Sequence, residues 1–276
     1  MSIIEILKVL VLGIVEGFTE WLPISSTGHI LLLDAVWKMQ VSDAFFDVFK
    51  VVIQLGSIMA VVVLYFHKLN PFSPKKDAVQ KKNTWILWAK VLVASLPAAV
   101  VGLAIDDIVD EKLSVPVVIA LALIVYGIAF IWMESRKKQP KVTALGDISY
   151  KRALAIGAFQ MLALIPGTSR SGSTILGATL VGTSRTVAAE FSFFMAIPVM
   201  LGASLLKAVK FVLEGLRFTA TEWVLLLVGT VVAFLVSVAV IRFLMNYIQK
   251  HDFKVFGWYR IALGAVVLLC WALNLI

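Results

Sequence analysis

Six stretches of the chain are long and apolar enough to cross a bilayer: about 44–66, 85–104, 114–133, 191–213, 222–245 and 253–275. Each supplies the roughly 20 residues that a hydrocarbon core demands. The requirement is severe, because a span must satisfy every backbone polar group internally, and only helices and closed barrels do so. Stretches of this length predict helices. Composition agrees: 61% of the 276 residues are hydrophobic and 15% are charged, against about 45–50% and 25% in soluble domains. The chain reads as an all-α polytopic membrane protein, folded as a single membrane domain over 1–276.

Charge sets the orientation. Lys68, Lys75, Lys76, Lys81 and Lys82 crowd the connection 67–83, and "SRKKQPK" (135–141) with Lys151 and Arg152 forms a second basic group. Two spans separate these loops, so both lie on one side, which the positive-inside rule makes the cytoplasm. The acidic "DDIVDEK" (106–112) then falls outside, and both termini fall outside by parity. The net charge of +8 is therefore a topology signal, and no nucleic-acid partner is expected. The opening residues lack a basic n-region and a cleavage site, so they read as mature structure and not as a signal peptide. The single cysteine, Cys270, cannot form an internal disulfide.

Two segments do not fit the spanning pattern. Residues 3–33 and 153–183 contain apolar runs of about 12–15 residues interrupted by Pro, Gly and Ser, a length suited to re-entrant half-helices. Broken backbone at membrane depth persists only where protein or a wet cavity surrounds it. "GIVEGFTEWLPISSTGH" and "GAFQMLALIPGTSRSGS" align at an offset of 144, pairing Gly13 with Gly157, Glu16 with Gln160, Ser25 with Ser169 and Gly28 with Gly172. Three spans lie between them, so the second copy is inverted. The expectation is an inverted-topology repeat, about 3–133 and 153–276, each half opened by a re-entrant hairpin, with a site where the broken helices meet near the midplane.

The polar residues of these breaks have a common chemistry. Glu16 and Glu20 are spaced i, i+4 and share a helix face, and acids at membrane depth face a cavity or a partner. "PISSTGH" (23–29) and "PGTSRSGST" (166–174) each precede a second half-helix, about 27–37 and 172–182, whose N-terminus favours an anion. Arg170 adds a forked cation suited to phosphate, and Ser169, Ser171, Ser173 and Thr174 add hydroxyl donors. Arg260 lies roughly 10 Å into the last span, either at the site or snorkelling beside Trp258 and Tyr259. His29 sits next to the serines and acids, whereas His67 and His251 lie in loops. Asp47, Lys50 and Gln54 form a stripe that either lines the cavity or marks the interfacial end of its span. The set suits phosphoryl transfer, which rests on positioning and charge neutralisation. Two carboxylates beside a diphosphate repel it unless one is protonated or a divalent cation bridges them. Magnesium held by one or two carboxylates and substrate phosphates is the usual arrangement, so Glu16 and Glu20 are candidate metal ligands. A site among apolar helices favours a lipid-linked phosphate. A carrier of such a lipid is the alternative class, since broken helices in inverted repeats are a transporter pattern.

"EGFTEWLPISSTGH" (16–29) and "PGTSRSGST" (166–174), with "FQMLALIPG" and "AAEFSFFMAIP", resemble the signatures of the BacA/UppP family, the undecaprenyl-diphosphate phosphatases associated with bacitracin resistance. The resemblance covers nearly the whole chain. It implies six spans plus two re-entrant hairpins in an inverted repeat, in the bacterial cell membrane, with the site open to the extracytoplasmic face. It implies hydrolysis of undecaprenyl diphosphate to the monophosphate carrier reused in peptidoglycan synthesis, and dependence on a divalent cation, Mg²⁺ or Ca²⁺. It implies Ser26 as nucleophile with His29 as acid/base, or His29 as nucleophile. Glu20 would be the activating or metal-linked carboxylate, supported by Glu16. Arg170 would hold the diphosphate with Ser169, Ser171 and Thr174, Arg260 would be a second cation, and Ser25 and Thr27 would complete the shell. A homodimer is allowed.

Overall fold

The computed structural model describes residues 3–108, 112–215 and 217–276. Its helices are α1 (Ile3–Thr19), α2 (Ser26–Val36), α3 (Asp43–Leu64), the single turn α4 (Phe66–Leu69), α5 (Ala78–Ile108), α6 (Pro116–Ser135), α7 (Tyr150–Met161), α8 (Arg170–Leu180), α9 (Arg185–Leu213), α10 (Ala220–Lys250) and α11 (Lys254–Ala272). Six of them, α3, α5, α6, α9, α10 and α11, are long and apolar enough to cross a membrane. They are the six expected spans, and the chain is a multi-pass membrane protein. The main departures are at the ends. α5 starts at Ala78, so Lys81 and Lys82 ride on its first turns, and α9 starts at Arg185. Residues 109–111 of the acidic connection 106–112 lie outside the described residues.

Local chemistry explains the helix starts. Ser42, Ser149 and Ser184 each accept a hydrogen bond from the backbone N–H three residues on, and Thr219 and Glu222 form a reciprocal capping box at α10. These side chains satisfy N–H groups that a helix start otherwise leaves unpaired. Pro116 opens α6, where its missing N–H is no loss.

The four remaining helices of any length, α1, α2, α7 and α8, have 17, 11, 12 and 11 residues. At 1.5 Å per residue the last three reach only about 16–18 Å, half of a bilayer core. The long helices fix where they stop. α1 lies along α10 and α7 along α5, while α3 packs on α9 and α10, and α6 on α11. Glycine permits the close approach: a Cβ on Gly13 would lie 2.9 Å from the Gly229 carbonyl oxygen, and one on Gly157 would lie 2.2 Å from that of Ala94. Small residues at such contacts are the usual means of membrane helix packing.

α9 fills the centre. Phe191, Phe193 and Phe194 are fully buried, and Trp21, from the first chain break, meets Phe193 edge-on with ring centroids 5.1 Å apart. The outward faces of the long helices carry exposed Leu96, Val100, Leu205, Leu227 and Leu235, which suit lipid. The polar residues of the breaks, Thr27 apart, are turned inward.

Candidate active site

Both half-helices begin on a serine with an unusual backbone. Ser25 has φ 73° and Ser169 φ 70°. A side chain at positive φ costs on the order of 1–3 kcal/mol and persists where surrounding structure enforces it. These are the residues paired at the offset of 144, so the two breaks share their backbone as well as their composition. Just before Ser169, Gly167 has φ 94°, and a Cβ there would lie 2.5 Å from the Ile119 carbonyl oxygen.

Three side chains join the breaks. The Ser171 hydroxyl donates to the Glu20 carbonyl at 2.9 Å. Arg170 Nη2 donates to the Glu20 carboxylate at 2.9 Å, its Nη1 donates to the Ser192 carbonyl at 2.8 Å, and its guanidinium lies over the Trp21 ring at 5.4 Å. Arg260, on α11, is 0% exposed. Its Nη1 donates to the Pro23 carbonyl at 3.1 Å, and its Nη2 donates to the Gly167 and Thr168 carbonyls at 2.8 and 2.9 Å. One residue of the last helix thus holds the backbones of both breaks together.

A hydroxyl shell surrounds Arg170. Ser169 Oγ lies 3.1 Å from Ser171 Oγ and accepts from the Gly172 N–H. Thr174 and Ser192 hydroxyls are 2.6 Å apart, and Ser173 donates to the Tyr126 hydroxyl at 3.1 Å. Sequence reasoning did not single out Ser192, Tyr126 or Trp21. Ser192 lies inside the quoted "AAEFSFFMAIP", but its neighbours on Arg170 arise only from the fold.

Glu16 is 0% exposed and neither carboxyl oxygen has a hydrogen-bond partner among the described residues. Its charged neighbours are Glu20 and Arg170. Gln160, its counterpart at the offset of 144, is likewise buried with both amide atoms unpartnered. An unpartnered buried carboxylate is costly, so Glu16 calls for a proton or a cation. Among the described residues, no group of three His, Cys, Asp or Glu forms a ready-made metal cage. Two carboxylates leaving the remaining positions to water and phosphate suit magnesium.

On α2, Ser26 is half-buried and its hydroxyl bonds to no described residue, whereas Thr27 is exposed. Ser25 Oγ is buried without a partner among the described residues. His29 lies one turn after Ser26. Its Nδ1 is 2.7 Å from the Ser25 carbonyl, and its Nε2 is 2.7 Å from the Tyr259 hydroxyl. A carbonyl can only accept, so Nδ1 carries the hydrogen and Nε2 offers its lone pair to Tyr259. The two rings also stack, 8° from parallel. Tyr259 is a further residue that sequence reasoning passed over. Glu20, Arg170, Ser169, Ser171, Thr174 and Arg260 are thus brought together with Glu16 beside them; Ser26 and His29 share the adjoining α2, and Thr27 stands apart. The Asp47–Lys50 pair, at 2.8 Å, is largely exposed, as befits an interfacial helix end.

Residues 9–266 match the family described as bacitracin resistance protein BacA. The chain belongs to the BacA family. Among BacA relatives, an undecaprenyl-diphosphatase of Enterococcus faecalis is 60% identical over 266 residues, 96% of each chain. One of Latilactobacillus sakei is 57% identical over 97% of this chain and 98% of its own. Undecaprenyl-diphosphatase 1 of Clostridioides difficile is 58% identical over 97% and 96%. Every residue of the site described above falls within the BacA match.

Proposed function

We propose that the chain is an integral membrane phosphatase that hydrolyses undecaprenyl diphosphate to undecaprenyl phosphate and inorganic phosphate. It would recycle the lipid carrier for peptidoglycan synthesis and so confer resistance to bacitracin. The observation that carries this reading is the meeting of the two breaks: Arg170 of the second lies on Glu20 of the first at 2.9 Å, inside an apolar bundle. The names of the relatives support the substrate. The crosswise packing of α1 on α10 and α7 on α5, with the matched serines at positive φ, supports an inverted repeat of two re-entrant hairpins. With the basic connections in the cytoplasm, the site opens to the extracytoplasmic side.

Each group has a task. Arg170 exchanges Glu20 for the diphosphate, and the α8 N-terminus with Ser169, Ser171 and Thr174 completes the anion's surroundings. Ser26 Oγ attacks the terminal phosphorus, the bond to the bridging oxygen breaks, and the monophosphate leaves. Water then releases the phosphate. His29 holds the proton relay through Nε2, which must first let go of Tyr259. The free hydroxyl of Ser26 and the doubly engaged ring of His29 favour serine as nucleophile. Glu16 and Glu20 would hold a divalent cation, Mg²⁺ or Ca²⁺, which when bound neutralises charge on the phosphates.

Phosphate release from undecaprenyl diphosphate by the purified protein in detergent tests the proposal. Turnover is expected to fall to background in Ser26→Ala and to stop with chelator, returning with added magnesium or calcium. Near-normal turnover of Ser26→Ala would transfer the role to His29 or water. Broken helices of this kind also suit a carrier. No phosphate release in detergent, alongside vesicle transport of the monophosphate, would replace the enzyme by that reading.

A further inference from the structure

At the far end of α8 from Arg170, about 15 Å away along the helix, lies a cavity of about 760 Å³ that the proposed reaction does not use. Its size is within the range of about 300–1,000 Å³ usual for ligand sites. It is walled by the α6–α7 connection, the α8–α9 turn and the junction of α10 with α11. Arg136, Lys137, Lys138, Lys141 and Arg152 line it, with Thr183 among them.

The walls are held in place. Val142 pairs with Thr183 as an isolated parallel bridge. Lys141 and Val142 N–H groups donate to the Gly182 carbonyl, and the Ser184 N–H donates to the Val142 carbonyl. The basic loop is therefore fastened across the α8–α9 turn. Two carboxylates lie in the wall, and only Glu134 is fully engaged. Glu134 takes both arms of Arg185 and the Phe253 N–H, and Asp252 lies 4.0 Å from Lys254. Lys137, Lys138, Lys141 and Arg152 have no ion pair with a described residue. Thr183 is 2% exposed, yet its hydroxyl has no hydrogen-bond partner among the described residues. Helices α9 and α11 begin at this wall, but α6, α8 and α10 end there, so the helix dipoles offset one another and the positive potential comes from the side chains.

We infer that this cavity is a second anion site, for a phosphate group, on the cytoplasmic face. The cations match a dianion or a phosphodiester, and the unpartnered Thr183 hydroxyl supplies a neutral donor. Basic pockets between membrane helices on this side of a bilayer are suited to anionic headgroups. The phosphate could belong to an inner-leaflet phospholipid or be free in the cytoplasm, and the chemistry recognised is the same.

The test uses the full-length protein in phosphatidylcholine nanodiscs. One arm adds phosphatidylglycerol and counts retained lipid by native mass spectrometry. The other titrates inorganic phosphate by calorimetry. The variants are Lys137→Gln/Lys138→Gln/Lys141→Gln, all on exposed positions, and Thr183→Val, which leaves every charge in place. Both should keep wild-type phosphatase activity, which certifies their folding and separates this site from the proposed active site. Removing three near-surface cations is expected to weaken binding about a hundredfold, and Thr183→Val should weaken it severalfold. A loss confined to the lipid arm assigns a headgroup, and a loss confined to the titration assigns free phosphate. Binding by both variants equal to wild type in both arms would overturn the inference.

Discussion

Replacing Arg260 tests whether one side chain holds the two breaks together. Its three hydrogen bonds to carbonyls, at 3.1, 2.8 and 2.9 Å, reach Pro23 on one side and Gly167 and Thr168 on the other. Bonds from a charged donor contribute about 1.5–3 kcal/mol each, so the gross contribution is roughly 4.5–9 kcal/mol. Burying a guanidinium costs several kcal/mol in return. The net loss in Arg260→Met, which fills similar space without charge, should therefore be about 2–4 kcal/mol. That is a large share of the roughly 5–15 kcal/mol that separates folded from unfolded protein. Arg260→Lys should be at least as damaging. Its single ammonium cannot span both loops, and it leaves a buried charge only partly bonded. Thermal unfolding in detergent, with phosphate release on the same samples, measures both effects. Stability and activity should fall together. A methionine variant that melts with the wild type would refute the reasoning, and lost activity at unchanged stability would mean that Arg260 acts on substrate instead.

Ser25→Gly should raise stability by about 1 kcal/mol, because relief of the strain at φ 73°, on the order of 1–3 kcal/mol, exceeds the roughly 0.4–1 kcal/mol by which glycine's freedom favours the unfolded chain, and the lost hydroxyl has no partner among the described residues; a higher melting temperature with reduced turnover would show that the hydroxyl serves substrate. Tyr259→Phe removes the donor to His29 Nε2 at 2.7 Å, and a bond of about 0.5–1.5 kcal/mol should appear as a severalfold change in kcat/KM and a shifted pH profile, while an unchanged profile would remove Tyr259 from the reaction. Gly157→Ala puts a methyl group 2.2 Å from the Ala94 carbonyl oxygen, so α7 must move off α5 at a cost of about 1–3 kcal/mol, readable as a lower melting temperature.

The spans were legible because a bilayer imposes a length and an apolar content that few other folds need. Their ends were less so. Residues 78–84 and 185–190 are polar enough to read as loop, yet they form the first turns of α5 and α9. The half-helices, expected at 27–37 and 172–182, form at 26–36 and 170–180, because Pro, Ser and Gly mark a helix start strongly. Arg170 and Glu20 were both legible as site candidates, but not as partners of one another. Tyr259 reaches His29 across 230 residues, and nothing local announces such a pair. Arg260 binds backbone carbonyls, which every residue carries, so its targets leave no trace in side-chain pattern.

The stitch by Arg260 also sets an order of events. The first break is synthesised early and the second midway, and Arg170 and Ser171 reach Glu20 without help from α11, but the carbonyls of both breaks share one donor only once α11 enters the bundle. A ribosome-bound chain ending after α10 would contain the acids, the serines and Arg170 with their mutual contacts, and would still lack the clasp that fixes the two backbones against each other. Activity should therefore appear abruptly, with the insertion of the last helix.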